Sequence, residues 1–420
     1  MRVLLVVHRF LPHLAGTELY TLGLARQLAR RHTVLIYYRD QRQQTKGLQS
    51  WDGTIEGLPV HCVSLNLTGL RRNRYRMFIS SYLNPEIERD FARVLRRFQP
   101  EVVHFQHLMY LSARLPIIAW QRGIPAVLTL HDYWFKCNNS TLLRYTGEVC
   151  YDNEQFYACA DCASQRRRSE PMRSLMALVL RSRDAVLRQV LHQVQSIIAP
   201  SRFLKCQFVR DGYVPEEKVC VVENGIETPA SLPPRDGLVR DTMRFVYIGS
   251  IAPHKGVHVA IQAFNELAVS NRAQLDIYGD LEAEPQYVAR LRNMIGHPNI
   301  RLCGPLAREN LWRVLSESDI LILPSLWYEN SPIVIQEAFV AGVPVIASAI
   351  GALPEKVCHG INGMLFPPGD VHALRSLLDT MVNNPEIAVR LRRGIPHVMR
   401  LEENADQIER IYEALCSKGK

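Results

Sequence analysis

The feature that most constrains this chain is a repeated alternation of short apolar runs with amphipathic stretches, which extends along nearly all of its 420 residues. RVLLVV (2–7) is continuously apolar over strand length, the pattern of a parallel strand covered on both faces. TELYTLGLARQLAR (17–30) then places Leu19, Leu22, Leu24, Ala25 and Leu28 near helical spacing, and HTVLIYY (32–38) returns to strand. The alternation recurs at EVVHFQ (101–106), PAVLTLH (125–131) and QSIIAPS (195–201). A Pro-rich, weakly patterned stretch, TPASLPPRDGLVRDT (228–242), precedes a second series. That series is FVYIGS (245–250), AQLDIYGD (273–280), NIRLCG (299–304), DILILPS (319–325) and PVIASA (344–349). Strands alternating with helices imply parallel sheets with right-handed crossovers, so two doubly wound α/β domains are expected, at 1–230 and 231–400. A closing helix, ADQIERIYEALCSK (405–418) within 401–420, can pack on either domain, including back on the first. Two such domains facing a cleft place ligands at the carboxyl ends of their strands.

Composition narrows the class. With 47% hydrophobic residues spread evenly, the chain is not disordered, and 23 Gly and 24 Pro without a repeat exclude fibrous and solenoid folds. No apolar run approaches the roughly 18 residues that cross a bilayer. The N-terminal apolar run stops at His8 and Arg9, as a buried strand does and a signal peptide does not, so a soluble cytoplasmic protein is expected. Residues 1–230 carry 31 Lys and Arg against 20 Asp and Glu, a net charge of +11, whereas residues 231–420 carry a net −2. The first half is therefore expected to face something anionic. No nucleic-acid recognition motif accompanies that charge.

The most informative segment is SLWYENSPIVIQEAFVAGVPVIAS (325–348). Ser331 reads as an N-cap, Pro332 as the first helical position and Ile333–Ala341 as a short helix that Gly342 and Pro344 end. A helix starting directly after a strand presents unpaired N–H groups and a partial positive charge, a seat for phosphate. Glu329 precedes that helix and Glu337 lies little more than one turn inside it. A phosphate flanked by two carboxylates, which pair well with sugar hydroxyls, suits a sugar nucleotide.

Glu329 and Glu337 form an E-x7-E motif, and the segment around them resembles retaining nucleotide-sugar glycosyltransferases of family 4, which have the GT-B fold of two Rossmann-like domains. The resemblance implies that Glu329 contacts the donor sugar, that Glu337 holds the ribose hydroxyls and that the backbone between them, from Ser331 to Ile333, meets the diphosphate. Further segments match in order. LPHLAGTELYTLGLA (11–25) is similar to the family's Gly-Gly loop, with Gly16 as the second glycine and Ala15 in place of the first. LTLHDYW (128–134) ends a strand with His131 and Asp132, like the family's His-Asp pair, in which the His sits beside the donor sugar. Asp132 reads equally well as a cap of the following turn. APSRFL (199–204) and VVENGIE (221–227) match the segments closing the first domain, where Ser201 and Asn224 read as loop-shaping residues. YIGSIAPHKGVHVAIQAF (247–264) resembles the start of the second domain, with Lys255 on the diphosphate and Ser250 where many relatives have Arg. CGPLARENLWRVL (303–315) resembles the region beside the nucleotide base.

The resemblance implies a hexosyltransferase that acts with retention, with His131 and Glu329 at the reacting centre. It also implies that the first domain binds the acceptor and the second most of the donor. The sequence has no D-x-D, the metal–diphosphate motif of the other main glycosyltransferase fold, so donor binding is expected to need no metal. The donor is expected to be a UDP-, GDP- or ADP-sugar, and the acceptor a glycan or lipid-linked glycan of cell-surface polysaccharide synthesis. A nucleotide-sugar epimerase and a catalytically silent nucleotide-sugar-binding scaffold remain as alternatives.

Two features stand apart. Cys137, Cys150, Cys159 and Cys162 cluster in an insertion (137–162) after the His-Asp pair and end in a CxxC, whose thiolates can share one tetrahedral ion. A structural zinc is expected there, with an iron–sulfur cluster or unliganded thiols as alternatives. RRNRYRMFISSYL (71–83) and RRRSEPMRSLMALVLRSRDAVLRQVL (166–191) mix Arg with apolar residues. Such stretches either lie peripherally on an anionic inner-membrane surface or pack on their own domain.

Overall fold

The computed structural model describes residues 1–12, 15–40, 47–65, 74–151, 156–229, 231–232, 241–267 and 272–418. His13 and Leu14 of the glycine loop, most of the Pro-rich linker and the start of the basic stretch 71–83 lie outside the described residues. The chain divides into two compact units: Met1–Tyr145, Cys150–Gly225 and Arg400–Lys420 in the first, and Ile226–Met399 with Thr146–Val149 in the second. The first unit thus ends at Gly225, a few residues before the Pro-rich stretch suggested.

The first unit is built on β1 (Arg2–Val7), β2 (Thr33–Arg39), β3 (Leu48–Ile55), β4 (Leu58–Leu65), β5 (Val102–Phe105), β6 (Ala126–Thr129), β7 (Ser196–Ala199) and β8 (Val219–Val221). They form one sheet in the order β3-β4-β2-β1-β5-β6-β7-β8. Every pair is parallel except β3 with β4. β5, β6 and β7 are buried along their whole length, which is why they read as unbroken apolar runs. β3 is an edge strand, exposed at Gln49, Ser50, Asp52, Gly53 and Thr54, and its mixed sequence LQSWDGTI carried no such signal. The terminal helix Leu401–Lys418 belongs to this unit. It buries Leu401, Ala405, Ile408 and Tyr412, one per turn, and Ala405, Ile408 and Tyr412 join the core formed by Leu22, Leu24 and Leu28 of helix Gly16–Leu28.

The second unit contains β9 (Met243–Ile248), β10 (Ala273–Tyr278), β11 (Ile300–Gly304), β12 (Ile320–Leu323), β13 (Val345–Ser348) and β14 (Gly363–Phe366). They pair in parallel in the order β11-β10-β9-β12-β13-β14. Numbered within the unit this is the 3-2-1-4-5-6 order of the doubly wound fold, and its direction reverses between β9 and β12. In the first unit the reversal falls between β1 and β5, because β2 and β4 continue on the other side of β1. Loops at the carboxyl ends of two such strands diverge and leave room for a ligand. The chain's notable polar residues follow β1, β5, β6, β9 and β12.

Candidate active site

In the second unit the loop after β9 carries Lys255 and the loop after β12 carries Ser325 and Glu329. Lys255 Nζ lies 2.8 Å from Glu329 Oε1, and Ser325 Oγ donates to the same oxygen at 2.7 Å. The ammonium also sits 4.7 Å from the centre of the Trp327 ring. Burial pushes the Glu329 carboxyl up, but the Lys255 charge and the hydrogen bonds from Lys255 and Ser325 outweigh it and hold it below its ordinary range. Glu329 is therefore an ionised, buried carboxylate. One of three ammonium hydrogens is engaged by it, which leaves Lys255 two more to offer.

Close backbone contacts hold these two loops, and the loop after β13, in register. Leu326 N donates to His254 O at 2.8 Å, and Ala352 N to Glu329 O at 2.8 Å. Gly256 adopts φ +71, and a Cβ there would stand 1.8 Å from Pro324 O. At Gly351, with φ +62, a Cβ would stand 2.6 Å from Glu329 N. Only glycine lets the backbones approach this closely.

The helix after Glu329 runs Ile333–Val340, and its N-cap is Pro332 with no capping side chain. Here the sequence expectation is corrected. Ser331 is not the cap; its Oγ is buried and has no partner among the described residues. The helix begins one residue late because Pro332 takes an extended ψ of 116. Ile335 N donates to Pro332 O, so the amides of Ile333 and Val334 are the ones left at the helix start. Ser250 is exposed at the end of β9, and its carbonyl accepts from Tyr247 Oη at 2.7 Å. Glu337 is buried inside the helix and pairs with Arg308 Nη1. Burial raises the Glu337 carboxyl, and Arg308 offsets only part of that rise. Sequence reasoning missed Arg308, which lies 29 positions from its partner in a segment read only as flanking the base.

In the first unit the polar group sits at the ends of β1, β5 and β6. His131 Nε2 lies 2.8 Å from Gln106 Oε1, and its ring packs 5.3 Å from that of Tyr20. Enclosure pushes the His131 imidazole down to about 3, aided by His107 and opposed by Asp132. Of the two readings of Asp132, the turn cap is seen directly. Asp132 Oδ1 caps the turn by accepting from Trp134 N at 2.8 Å, and its Oδ2 lies 3.1 Å from His107 Nε2. Gly16 is the first residue of its helix, after Ala15 as N-cap. Glu18, fully buried, accepts from Ala15 N at 3.1 Å and from Arg9 Nε at 2.6 Å. The fully buried His104 bridges Tyr412 Oη (2.6 Å) and Thr129 Oγ1 (2.7 Å), and burial lowers it to about 3. Ser201 caps helix Arg202–Val209 by accepting from Leu204 N at 3.2 Å. Glu18, Gln106 and His107 were not singled out from sequence. The signal was available in HFQH (104–107), polar residues clustered where an apolar strand ends.

The structure gathers no evident metal group among the described residues of the cysteine cluster. Cys137, Cys150, Cys159 and Cys162 are not joined in disulfides, and among the described residues no three His, Cys, Asp or Glu side chains form a group that could hold a metal ion. Burial, reinforced by the other three thiols, pushes Cys159 up to about 12, so that thiol stays protonated. Cys159 and Cys162 sit one turn apart on helix Phe156–Ser164. The amides of Cys137 and Cys150 donate to Tyr133 O and Leu142 O.

Residues 14–229 match the family model for "Glycosyltransferase Family 4", and residues 233–397 match "Glycosyl transferases group 1". Among curated relatives, the amylovoran biosynthesis glycosyltransferase AmsK of Erwinia amylovora is 33% identical over 177 residues, 39% of this chain and 42% of that protein. The MMP α-(1→4)-mannosyltransferase of Mycolicibacterium hassiacum is 28% identical over 237 residues, 55% and 57% of the two chains. The chain thus spans about half the length of these relatives. Sucrose-phosphate synthase from Thermosynechococcus elongatus superposes with a TM-score of 0.71 at 19% identity, over 99% of both chains. Anabaena HepE in complex with UDP-glucose gives 0.64 at 17% identity, over 99% and 100%. These likenesses establish the GT-B fold.

Proposed function

The chain belongs to glycosyltransferase family 4, and on that premise we propose that it transfers a hexosyl group from a nucleotide-diphosphate sugar to a hydroxyl of a glycan or lipid-linked acceptor, with retention and without a metal. The observation that carries this reading is the buried Lys255–Glu329–Ser325 cluster at the β9/β12 reversal, directly before an uncapped helix start. A diphosphate seated on the amides of Ile333 and Val334 takes the two remaining hydrogens of Lys255, and Ser331 Oγ adds a donor. Cations and amides there replace the ion that other transferases use. Glu337, steadied by Arg308, accepts from the two ribose hydroxyls, and Glu329 accepts from hydroxyls of the donor sugar. The acceptor oxygen bonds to the anomeric carbon as the bond from that carbon to the phosphate oxygen breaks. The acceptor proton passes to the departing diphosphate. The side chains position the reactants and stabilise charge rather than form a covalent intermediate.

Cell-surface polysaccharide or lipid-linked glycan synthesis is the setting we assign, by likeness to AmsK and to the mannosyltransferase. An anionic membrane surface fits as a partner of the first unit. Helix Glu170–Gln193 exposes Met172, Leu175 and Leu178 along one side, just after Arg166 and Arg167, which are also exposed. No described helix is long and apolar enough to cross a membrane, so such contact would be peripheral. A thermal-shift screen of UDP-, GDP- and ADP-sugars in chelator tests the donor reading. Stabilisation by one nucleotide class supports it, and no shift with any donor overturns it. Release of an epimerised donor sugar would favour an epimerase instead.

A further inference from the structure

We propose that Gln106 is a sugar-binding and positioning residue: its carboxamide oxygen holds His131 with the ring hydrogen on Nε2, and its carboxamide nitrogen donates to a hydroxyl of a bound sugar. The inference rests on the glycosyltransferase reading for the identity of the ligand, but the Gln106–His131 pairing stands on geometry alone.

Gln106 follows β5 at the β1/β5 reversal, where its amide donates to Val6 O at 2.7 Å and so fixes the residue beside the end of β1. It is 1% exposed. Oε1 lies 2.8 Å from His131 Nε2, whereas Nε2 has no hydrogen-bond partner among the described residues. A buried amide nitrogen left unpaired costs free energy unless something from outside satisfies it. The oxygen can only accept, so the ring nitrogen facing it is the one that carries hydrogen, and the neutral ring's other nitrogen becomes its acceptor.

The same edge holds other atoms left unpaired. His8 Nδ1, after β1, and Arg39 Nε, at the end of β2, are both buried without a partner among the described residues. Three neighbouring strands of one sheet, β2, β1 and β5, therefore end in side chains whose polar atoms are not all satisfied by the described residues. The donors at Gln106 and Arg39 and the nitrogen of His8 call for a partner that can both accept and give hydrogen bonds. Sugar hydroxyls do both, whereas a fully ionised phosphate only accepts. Either the donor sugar or a sugar of the acceptor carries that chemistry.

Two measurements on the full chain test the proposal. Long-range proton–nitrogen NMR of histidine-labelled protein, with His131 assigned from the spectrum of His131→Asn, is expected to show hydrogen on Nε2. Hydrogen on Nδ1 would overturn the pairing. UDP-glucose, GDP-mannose and ADP-glucose, with their deoxy analogues, are then compared in wild type, Gln106→Leu and Gln106→Glu. The glutamate variant keeps the oxygen toward His131 but has no hydrogen to give. One deoxy position is expected to cost the wild type about tenfold in kcat/KM and to cost either variant little, while affinity for the bare nucleotide stays within about twofold. The effect appears in donor hydrolysis without acceptor if the donor sugar is bound, and only in transfer, with deoxy acceptors, if the acceptor sugar is bound. Equal deoxy penalties in all three proteins would overturn the hydroxyl contact and leave the glycosyltransferase reading intact. A wild type that turns over none of the three donors would overturn that reading and the sugar contact with it, and the NMR result would still decide the pairing.

Discussion

Glu329 and Glu337 are both buried carboxylates, yet their surroundings push them in opposite directions. The Lys255 ammonium and Ser325 hydroxyl overcome burial at Glu329, and Arg308 does not fully overcome it at Glu337. Glu337→Ala is expected to weaken nucleotide-sugar affinity by about tenfold or more, through loss of a carboxylate acceptor, and leaves Arg308 without its partner. Calorimetric titration checks this, and Arg308→Ala should move affinity in the same direction. The histidines set the acid limit of stability. His104 and His131 are held neutral with values near 3, below the ordinary 6.5, so the unfolded chain binds more protons than the folded one as pH falls through 6.5. Lowering pH from 7 to 5 should cost about 4 kcal/mol of folding stability from these two groups together. His61 works in the opposite sense. Burial lowers it, but Asp90 and Asp52 raise it overall, so its contribution is full below the ordinary value and is lost as pH rises through the folded one. Denaturant unfolding followed across this range measures the sum, and His104→Phe should flatten the acid limb.

At the level of elements, the sequence showed most of the strands. β1, β2, β5, β6 and β7 in the first unit and β9 to β13 in the second were all legible as apolar runs. β3 and β4 were not, because β3 is an exposed antiparallel edge strand of mixed residues and β4, though largely buried, is broken as LPVHCVSL by Pro59 and His61. β8 and β14 are edge strands, only partly buried, and gave no unbroken apolar run. The site divides the same way. Glu329, Glu337 and Lys255 were singled out from sequence motifs, whereas Arg308, the partner of Glu337, was not. Ser331 was misassigned because Ser-Pro reads as cap and first turn, whereas Pro332 itself takes the extended cap conformation here. The four cysteines cluster in sequence, yet no metal-holding group is found among the described residues. The loop after β9 offers a direct test. Gly256→Ala would place a methyl against Pro324 O at positive φ and should cost about 2 kcal/mol or more, read as a lower thermal midpoint together with weaker donor binding.

For the whole molecule, the uneven charge matters more than its sum. The basic excess lies in residues 1–230, and the apolar side of helix Glu170–Gln193 lies in the same unit, a combination suited to an anionic bilayer surface. Flotation with vesicles containing anionic lipid should carry the protein at low salt and lose it at high salt. Leu175→Glu with Leu178→Glu should abolish flotation without unfolding the chain, and binding equal to wild type would remove the membrane partner. The central claim is that a nucleotide diphosphate is held by Lys255 and the amides at the start of helix Ile333–Val340, with no metal. Titration of the best-stabilising nucleotide sugar into wild type and Lys255→Ala, both in excess EDTA, tests it most directly. The account predicts saturable binding by the wild type that falls at least about tenfold in the variant. Binding that requires a divalent ion, or that is the same in both proteins, would contradict it.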